Sequence, residues 1–124
     1  MEFYKCKHCG NIVAYVHHSG VQVICCGEVM SKITENTVEA SAEKHLPVIT
    51  QNGGKVHVSV GSIPHPMIPE HYIEWIALET KQGNQRKILW PNQAPEADFY
   101  IAEDDEVIKA YAYCNLHGLW STTL

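Results

Sequence analysis

The chain has 124 residues, 45% hydrophobic and 19% charged, which is the composition of a folded protein large enough for a modest domain and a small appendage. Its formal net charge is −5, with no run of lysines or arginines, and this argues against nucleic acid as a partner. No apolar stretch reaches the ~18 residues needed to cross a bilayer, and the N-terminal residues show no charged-then-apolar leader, so the expected location is the cytoplasm, where the five cysteines stay reduced and favour metal ligation over disulfides.

Four of those cysteines lie in the first part of the chain, residues 1–36, as Cys6-Lys7-His8-Cys9 and the adjacent pair Cys25-Cys26. Two short β-like runs, 11–16 and 21–24, are joined by His17-His18-Ser19-Gly20 and predict a hairpin between the cysteine pairs. So short a segment buries too little apolar surface to hold itself together; a structural metal supplies the missing stability, on the order of 10 kcal/mol of binding energy coupled to folding. The Cys-x-x-Cys loop directs two thiolates the same way from one tight turn. An adjacent Cys-Cys pair would strain a tetrahedral site. A set of four thiolates suits zinc or iron alike, and a thiol redox pair is disfavoured because the motif opens no helix in a βαβ pattern. His8, His17 and His18 are expected on the solvent side.

Residues 29–41 form a connector, and from there on the pattern is β. In 55–60, Val56, Val58 and Val60 alternate with His57 and Ser59, the mark of a half-buried strand. Further strands are predicted at 72–78, 86–90, 98–102 and 107–113, separated by turns at Gln82-Gly83-Asn84, Pro91-Asn92 and Glu103-Asp104-Asp105. With no amphipathic helix, this spacing predicts an all-β domain, a sandwich or barrel, over residues 37–124. His57 belongs to the polar side of its strand, and Met30 and Met67 are expected in the core or in loops.

The chemistry converges on three elements. Glu43-Lys44-His45-Leu46-Pro47 is the first, and His65-Pro66-Met67-Ile68-Pro69-Glu70-His71 the second. The third is Cys114-Asn115-Leu116-His117, followed by Gly118, which frees the backbone to turn away. Each histidine alone reads as a surface or hydrogen-bonded residue. Four of them beside prolines or beside a lone cysteine in one small domain read as a ligand set. Four imidazoles and one thiolate exceed what tetrahedral zinc needs, and suit a five-coordinate ion with an open sixth position.

Taken together, Cys-x-x-Cys, Cys-Cys, Glu-Lys-His-x-Pro-Val, His-Pro-Met, His-Tyr-Ile-x-Trp-Ile and Cys-Asn-x-His-Gly-Leu-Trp resemble the desulfoferrodoxins, the two-iron form of superoxide reductase, over essentially the whole length. The resemblance implies a desulforedoxin-like domain in residues 1–36, with Cys6, Cys9, Cys25 and Cys26 around a distorted tetrahedral iron that passes electrons. It implies an immunoglobulin-like β-sandwich in 37–124. There His45, His65, His71 and His117 surround a second iron, with Cys114 opposite the open site, and Glu43 and Lys44 above it on a mobile loop. Two iron ions per chain, superoxide as substrate, a rubredoxin-like electron donor and a homodimer complete what it implies. Three other readings stay open on spacing alone: a blue-copper-like carrier, although no methionine follows His117; a redox-silent module with two structural zincs; and a rubredoxin-like carrier without catalysis.

Overall fold

Two tight turns organise the start of the chain. The computed structural model describes residues 1–124, in two compact units, Met1–Thr34 and Glu35–Leu124. In the first unit β1 (Phe3–Lys5) pairs antiparallel with β2 (Ile12–Ala14) on one side and β5 (Ser31–Lys32) on the other. A separate ribbon joins β3 (Ile24–Cys25) to β4 (Glu28–Val29). The hairpin predicted between 11–16 and 21–24 does not form. The turn after Cys6 is closed by Cys6 N donating to Asn11 O at 2.9 Å and Gly10 N to Cys6 O at 3.1 Å, so β2 is already paired with β1. Val16 and Val21 then have no layer to cover and remain exposed. The core of this unit is small, with Phe3, Cys6 and Met30 buried.

The second unit is a sandwich of antiparallel sheets entered through one helical turn, α1 (Ala42–His45). Its first sheet holds β6 (Pro47–Asn52), β7 (Lys55–Val60) and β10 (Glu96–Tyr100), in the order β10-β7-β6. The second holds β8 (Ile73–Thr80), β9 (Gly83–Ile88), β11 (Val107–Cys114) and β12 (Gly118–Thr123), in the order β12-β11-β8-β9. The all-β expectation therefore holds, as a small cysteine-bearing β unit followed by an immunoglobulin-like sandwich. No helix is long and apolar enough to cross a membrane.

Period-2 alternation sends Val56, Val58 and Val60 of β7 into the core, where they meet Ile73, Ile76 and Leu78 of β8 and Ala110 and Ala112 of β11. Each buried valine or leucine removes apolar surface worth about 1.5–3 kcal/mol from water. Strand β11 continues its inward series to Cys114, which is fully buried and part of the same cluster. Strands β6 and β12 escaped the sequence pattern. β6 is an edge strand with exposed residues in its second half, and β12 begins directly behind a ligand motif.

Strand register gathers the site. Pro47 lies opposite Val60, and Cys114 lies opposite both Ile73 and Gly118. In antiparallel sheets these pairings put the start of β6, the end of β7, the start of β8, the end of β11 and the start of β12 at one end of the sandwich. His45, His65, His71, Cys114 and His117 sit on or just beyond these strand ends.

Candidate metal centres

The first cluster is built by two turns. Cys6 and Cys9 flank the β1–β2 turn, where the Cys9 N–H points at the Cys6 sulfur at 3.5 Å. That backbone donor is the main cause of a Cys6 pKa lowered to about 6. Cys25 ends β3, and Cys26-Gly27 form the two-residue turn into β4, with φ of +52° and +75°. Positive φ at both positions is the hairpin geometry that matches strand twist, and glycine accepts it freely. Sulfurs of adjacent residues can thereby face one point. All four cysteines are free thiols whose ligand atoms lie within 4.8 Å of one another, with Cys9 and Cys25 sulfurs 3.6 Å apart. Shared hydrogen bonding with Cys9, then Cys6, pushes Cys26 up to about 12. Four thiols this close cannot all ionise without a cation among them, which is what a thiolate metal site provides.

The second cluster is a ring of imidazoles. Ring centroids lie 4.6 Å apart for His45 and His65, 4.7 Å for His65 and His71, 5.0 Å for His71 and His117, and 4.9 Å for His117 and His45. The His45–His71 diagonal is 6.4 Å. Adjacent rings stand nearly perpendicular, at 78–84°. The nitrogens of His45, His65 and His71 and the Cys114 sulfur lie within 4.8 Å of one another. His117 joins through Nδ1, 3.1 Å from His45 Nε2 and 3.9 Å from the Cys114 sulfur.

Backbone carbonyls set the tautomers. His45 Nδ1 is 2.7 Å from Ser41 O, and His65 Nδ1 is 2.7 Å from Pro66 O. A carbonyl only accepts, so each Nδ1 carries a proton and each Nε2 lone pair points inward. The two Nε2 atoms then face each other at 3.2 Å with no proton between them. Burial opposes adding one: it is the largest cause lowering His45, and it brings His65 to about 4. The buried Nε2 of His71 has no hydrogen-bond partner at all. Converging, unpaired nitrogen lone pairs are a metal site by the chemistry of the donor set. Burial also raises the Cys114 thiol, against the N–H groups of His117 and Leu116, which lower it. His117 N donates to the sulfur at 3.4 Å. The cluster thus fits a cation that tolerates both imidazole and thiolate, iron included.

The two charged residues beside this cluster behave differently from each other. Both lie on α1, a single helical turn. The turn is tied down by Ile63 N donating to Glu43 O at 3.0 Å and Ser62 Oγ to the same oxygen at 3.2 Å. Lys44 is exposed, and its charge helps to lower His45 and His71, after burial and the other histidines. Glu43 makes no hydrogen bond to the cluster through its carboxylate; it lines a surface groove with Leu46, Pro47, Ser62 and Thr122. His8, His17 and His18 are exposed, His57 pairs with Asp98 at 2.7 Å, and Met67 accepts from Ile73 N, so none of these joins a cluster. Reading the motifs overlooked the supports. Trp120 stacks on His45 at 4.8 Å and donates from Nε1 to His117 O at 3.0 Å. Its sequence signal was its place at the end of Cys-Asn-x-His-Gly-Leu-Trp, three residues after His117.

Comparison with known proteins agrees over the full length. The family profile described as Desulfoferrodoxin matches residues 37–123, and that described as Desulfoferrodoxin, N-terminal domain, matches residues 1–33. The chain is 48% identical to the desulfoferrodoxin of Nitratidesulfovibrio vulgaris, over 96% of this chain and 93% of that one. It is 40% identical to the superoxide reductase of Pyrococcus horikoshii, over 73% of this chain and 94% of that one. The crystal structure of the superoxide reductase from Treponema pallidum superposes with a TM-score of 0.83 at 42% identity, covering 98% of each chain.

Proposed function

The chain belongs to the desulfoferrodoxin family, and on that premise we propose that His45, His65, His71, His117 and Cys114 hold the catalytic iron of a superoxide reductase, while Cys6, Cys9, Cys25 and Cys26 hold a second iron that passes electrons. The enzyme is an oxidoreductase acting on superoxide, with two iron ions per chain. The observation that carries the residue assignment is the pair of inward, unprotonated Nε2 atoms of His45 and His65, 3.2 Å apart, with both Nδ1 atoms committed to carbonyls.

Held by His45, His65, His71, His117 and Cys114, a ferrous ion would supply the chemistry the fold itself lacks, the donation of one electron to superoxide, with protons from water completing hydrogen peroxide. The protein contributes the surroundings. Ser41 O and Pro66 O hold two imidazoles as neutral donors. Cys114, at the end of β11 and fully buried, is the anionic member of the set and is kept from water. The His117 N–H draws charge from its sulfur and so tunes its donor strength. Lys44 places a cation beside the rings of His45 and His71, which favours an anionic substrate there. Glu43 is assigned, on the family resemblance, the role of a carboxylate that covers the site between turnovers, which requires it to leave the surface groove it lines here.

The finer features rest on family resemblance and on surface chemistry. We assign a rubredoxin-like carrier as electron donor, with Cys9 and Cys26 the exposed members of the four-cysteine set. A homodimer would cover apolar side chains such as Val16, Val21 and Ile24 that stand exposed in the first unit. Five free cysteines favour a reducing cytoplasm. We take residues 1–36 and 37–124 as the two functional domains. Metal analysis with visible spectra of the oxidised and reduced protein, beside superoxide consumption, tests the whole reading. Two irons and stoichiometric peroxide are expected. Two zincs without a visible spectrum would overturn it, and copper would favour an electron carrier.

A further inference from the structure

Three of the four imidazoles have an evident support. His45 is held by Ser41 O and the Trp120 ring, His65 by Pro66 O, and His117 through its carbonyl by Trp120 Nε1. The His71 ring has no carbonyl or indole of this kind: its Nε2 turns inward with the other lone pairs and its ring packs only on the neighbouring imidazoles, so its placement depends on its backbone. That backbone belongs to a short loop closed by a single β-bridge, with His71 N donating to Ile68 O at 3.0 Å and Ile68 N to His71 O at 3.1 Å. Pro69 and Glu70 span the bridge, and both are exposed.

The loop is fastened from outside by one residue. Asn115 Oδ1 accepts from Tyr72 N at 3.0 Å, and Asn115 Nδ2 donates to Glu70 O at 3.0 Å. Asn115 N also donates to Tyr72 O at 3.2 Å. The carboxamide therefore grips the chain on both sides of His71, using an acceptor and a donor at once. It does so from the three-residue loop between Cys114 and Gly118. We propose that Asn115 is a positioning residue that fixes His71 relative to Cys114, so that the thiolate and the least supported imidazole move as one body. Asparagine carries both groups that this grip requires. Leucine or alanine offers neither bond, and aspartate keeps the acceptor for Tyr72 N–H but sets a carboxylate oxygen against Glu70 O.

This rests on the cluster being the iron site, and the test separates the two. The full-length iron-loaded protein is compared with Asn115→Asp and Asn115→Ala by three measurements: the rate of iron loss to a chelator from each centre, the midpoint potential of the histidine-cysteine centre, and hydrogen exchange over residues 68–72. Outer supports of metal ligands commonly change metal affinity by about 10- to 100-fold. Iron loss from this centre alone should quicken by that order in Asn115→Ala and by less in Asn115→Asp. Exchange over 68–72 should quicken in the same order, the potential should shift, and the spectrum of the four-cysteine centre should stay unchanged. Equal iron loss and equal potential in variant and wild type would overturn the role of Asn115, even with a lowered melting temperature. So would equal loosening of both centres. If Asn115→Ala does not fold, Asn115→Asp decides by the same criteria. Wild-type protein with no metal at the histidines would instead overturn the site itself.

Discussion

Lys44 is exposed and its charge is felt at His45 and His71, in a chain of net charge −5. Superoxide is an anion, so the average field of the protein opposes its approach, and fast encounter needs a locally positive field. Steering of this kind changes association rates by roughly 10- to 1,000-fold and weakens with ionic strength. Lys44→Ala should slow the bimolecular step, flatten its salt dependence and leave both metal spectra nearly unchanged. Glu43→Ala, by removing a neighbouring negative charge, should not slow it. Pulse-generated superoxide mixed with reduced protein at several salt concentrations checks both; a wild-type rate and salt slope in Lys44→Ala would place the positive field elsewhere. Cys114 makes a different kind of contribution. As the one thiol among the imidazoles it would be the anionic donor to a bound iron, and a serine hydroxyl in its place is a poorer electron donor. Cys114→Ser should retain iron on the histidines yet lose more turnover than the roughly 10- to 100-fold typical of outer supports. Normal turnover in an iron-loaded variant would remove Cys114 from the ligand set.

At the scale of elements, α1 matters because it carries Glu43, Lys44 and His45 together. Its seat is Gly61, just past the end of β7. A Cβ on Gly61 would run into the Glu43 carbonyl oxygen and come within 2.8 Å of Lys44 C, both backbone atoms with nowhere to yield. Gly61→Ala should therefore displace the whole turn, with an overpacking cost of about 1–3 kcal/mol. Thermal unfolding of the metal-loaded protein measures the loss. The same variant should show altered superoxide encounter, since Lys44 and His45 move with α1. A melting temperature equal to wild type would mean that the turn has room to shift. The β11–β12 connection shows the opposite economy. Three residues, Asn115 to His117, and Gly118 at φ +75° complete it, so Cys114 and His117 are held by one of the shortest loops that hairpins use.

For the molecule as a whole, the first unit has only a few buried apolar residues, so its stability should depend on its metal, whereas the sandwich has a continuous core of its own. Metal binding in such small sites contributes on the order of 10 kcal/mol to folding. Cys6→Ser should abolish the four-cysteine centre and loosen residues 1–34, while iron stays bound at the histidines. Hydrogen exchange resolved by segment, with metal counts, reads out both effects. Superoxide reduction should then persist when an artificial donor feeds the remaining iron, and its complete loss in a folded variant that still carries this iron would count against separate centres.

What the amino-acid sequence determined by itself was chemical and local. Thiols, imidazoles and prolines at their spacings marked both ligand sets, and strict alternation at Val56, Val58 and Val60 marked a half-buried strand. Such signals reside in side-chain chemistry and in a period of two, which need no knowledge of distant partners. Where partners decide, local signals failed. The run at 12–14 could pair forward or backward, and the tight Cys6–Gly10 turn gave it to β1. β6 and β12 became strands because β7 and β11 offered them edges. Only the tertiary structure decided that five strand ends meet at one pole of the sandwich. Only there does Asn115 meet the peptides on either side of His71, and Trp120 the ring of His45. Those contacts join residues far apart in sequence, and register between strands, a non-local property, is what brings them within reach.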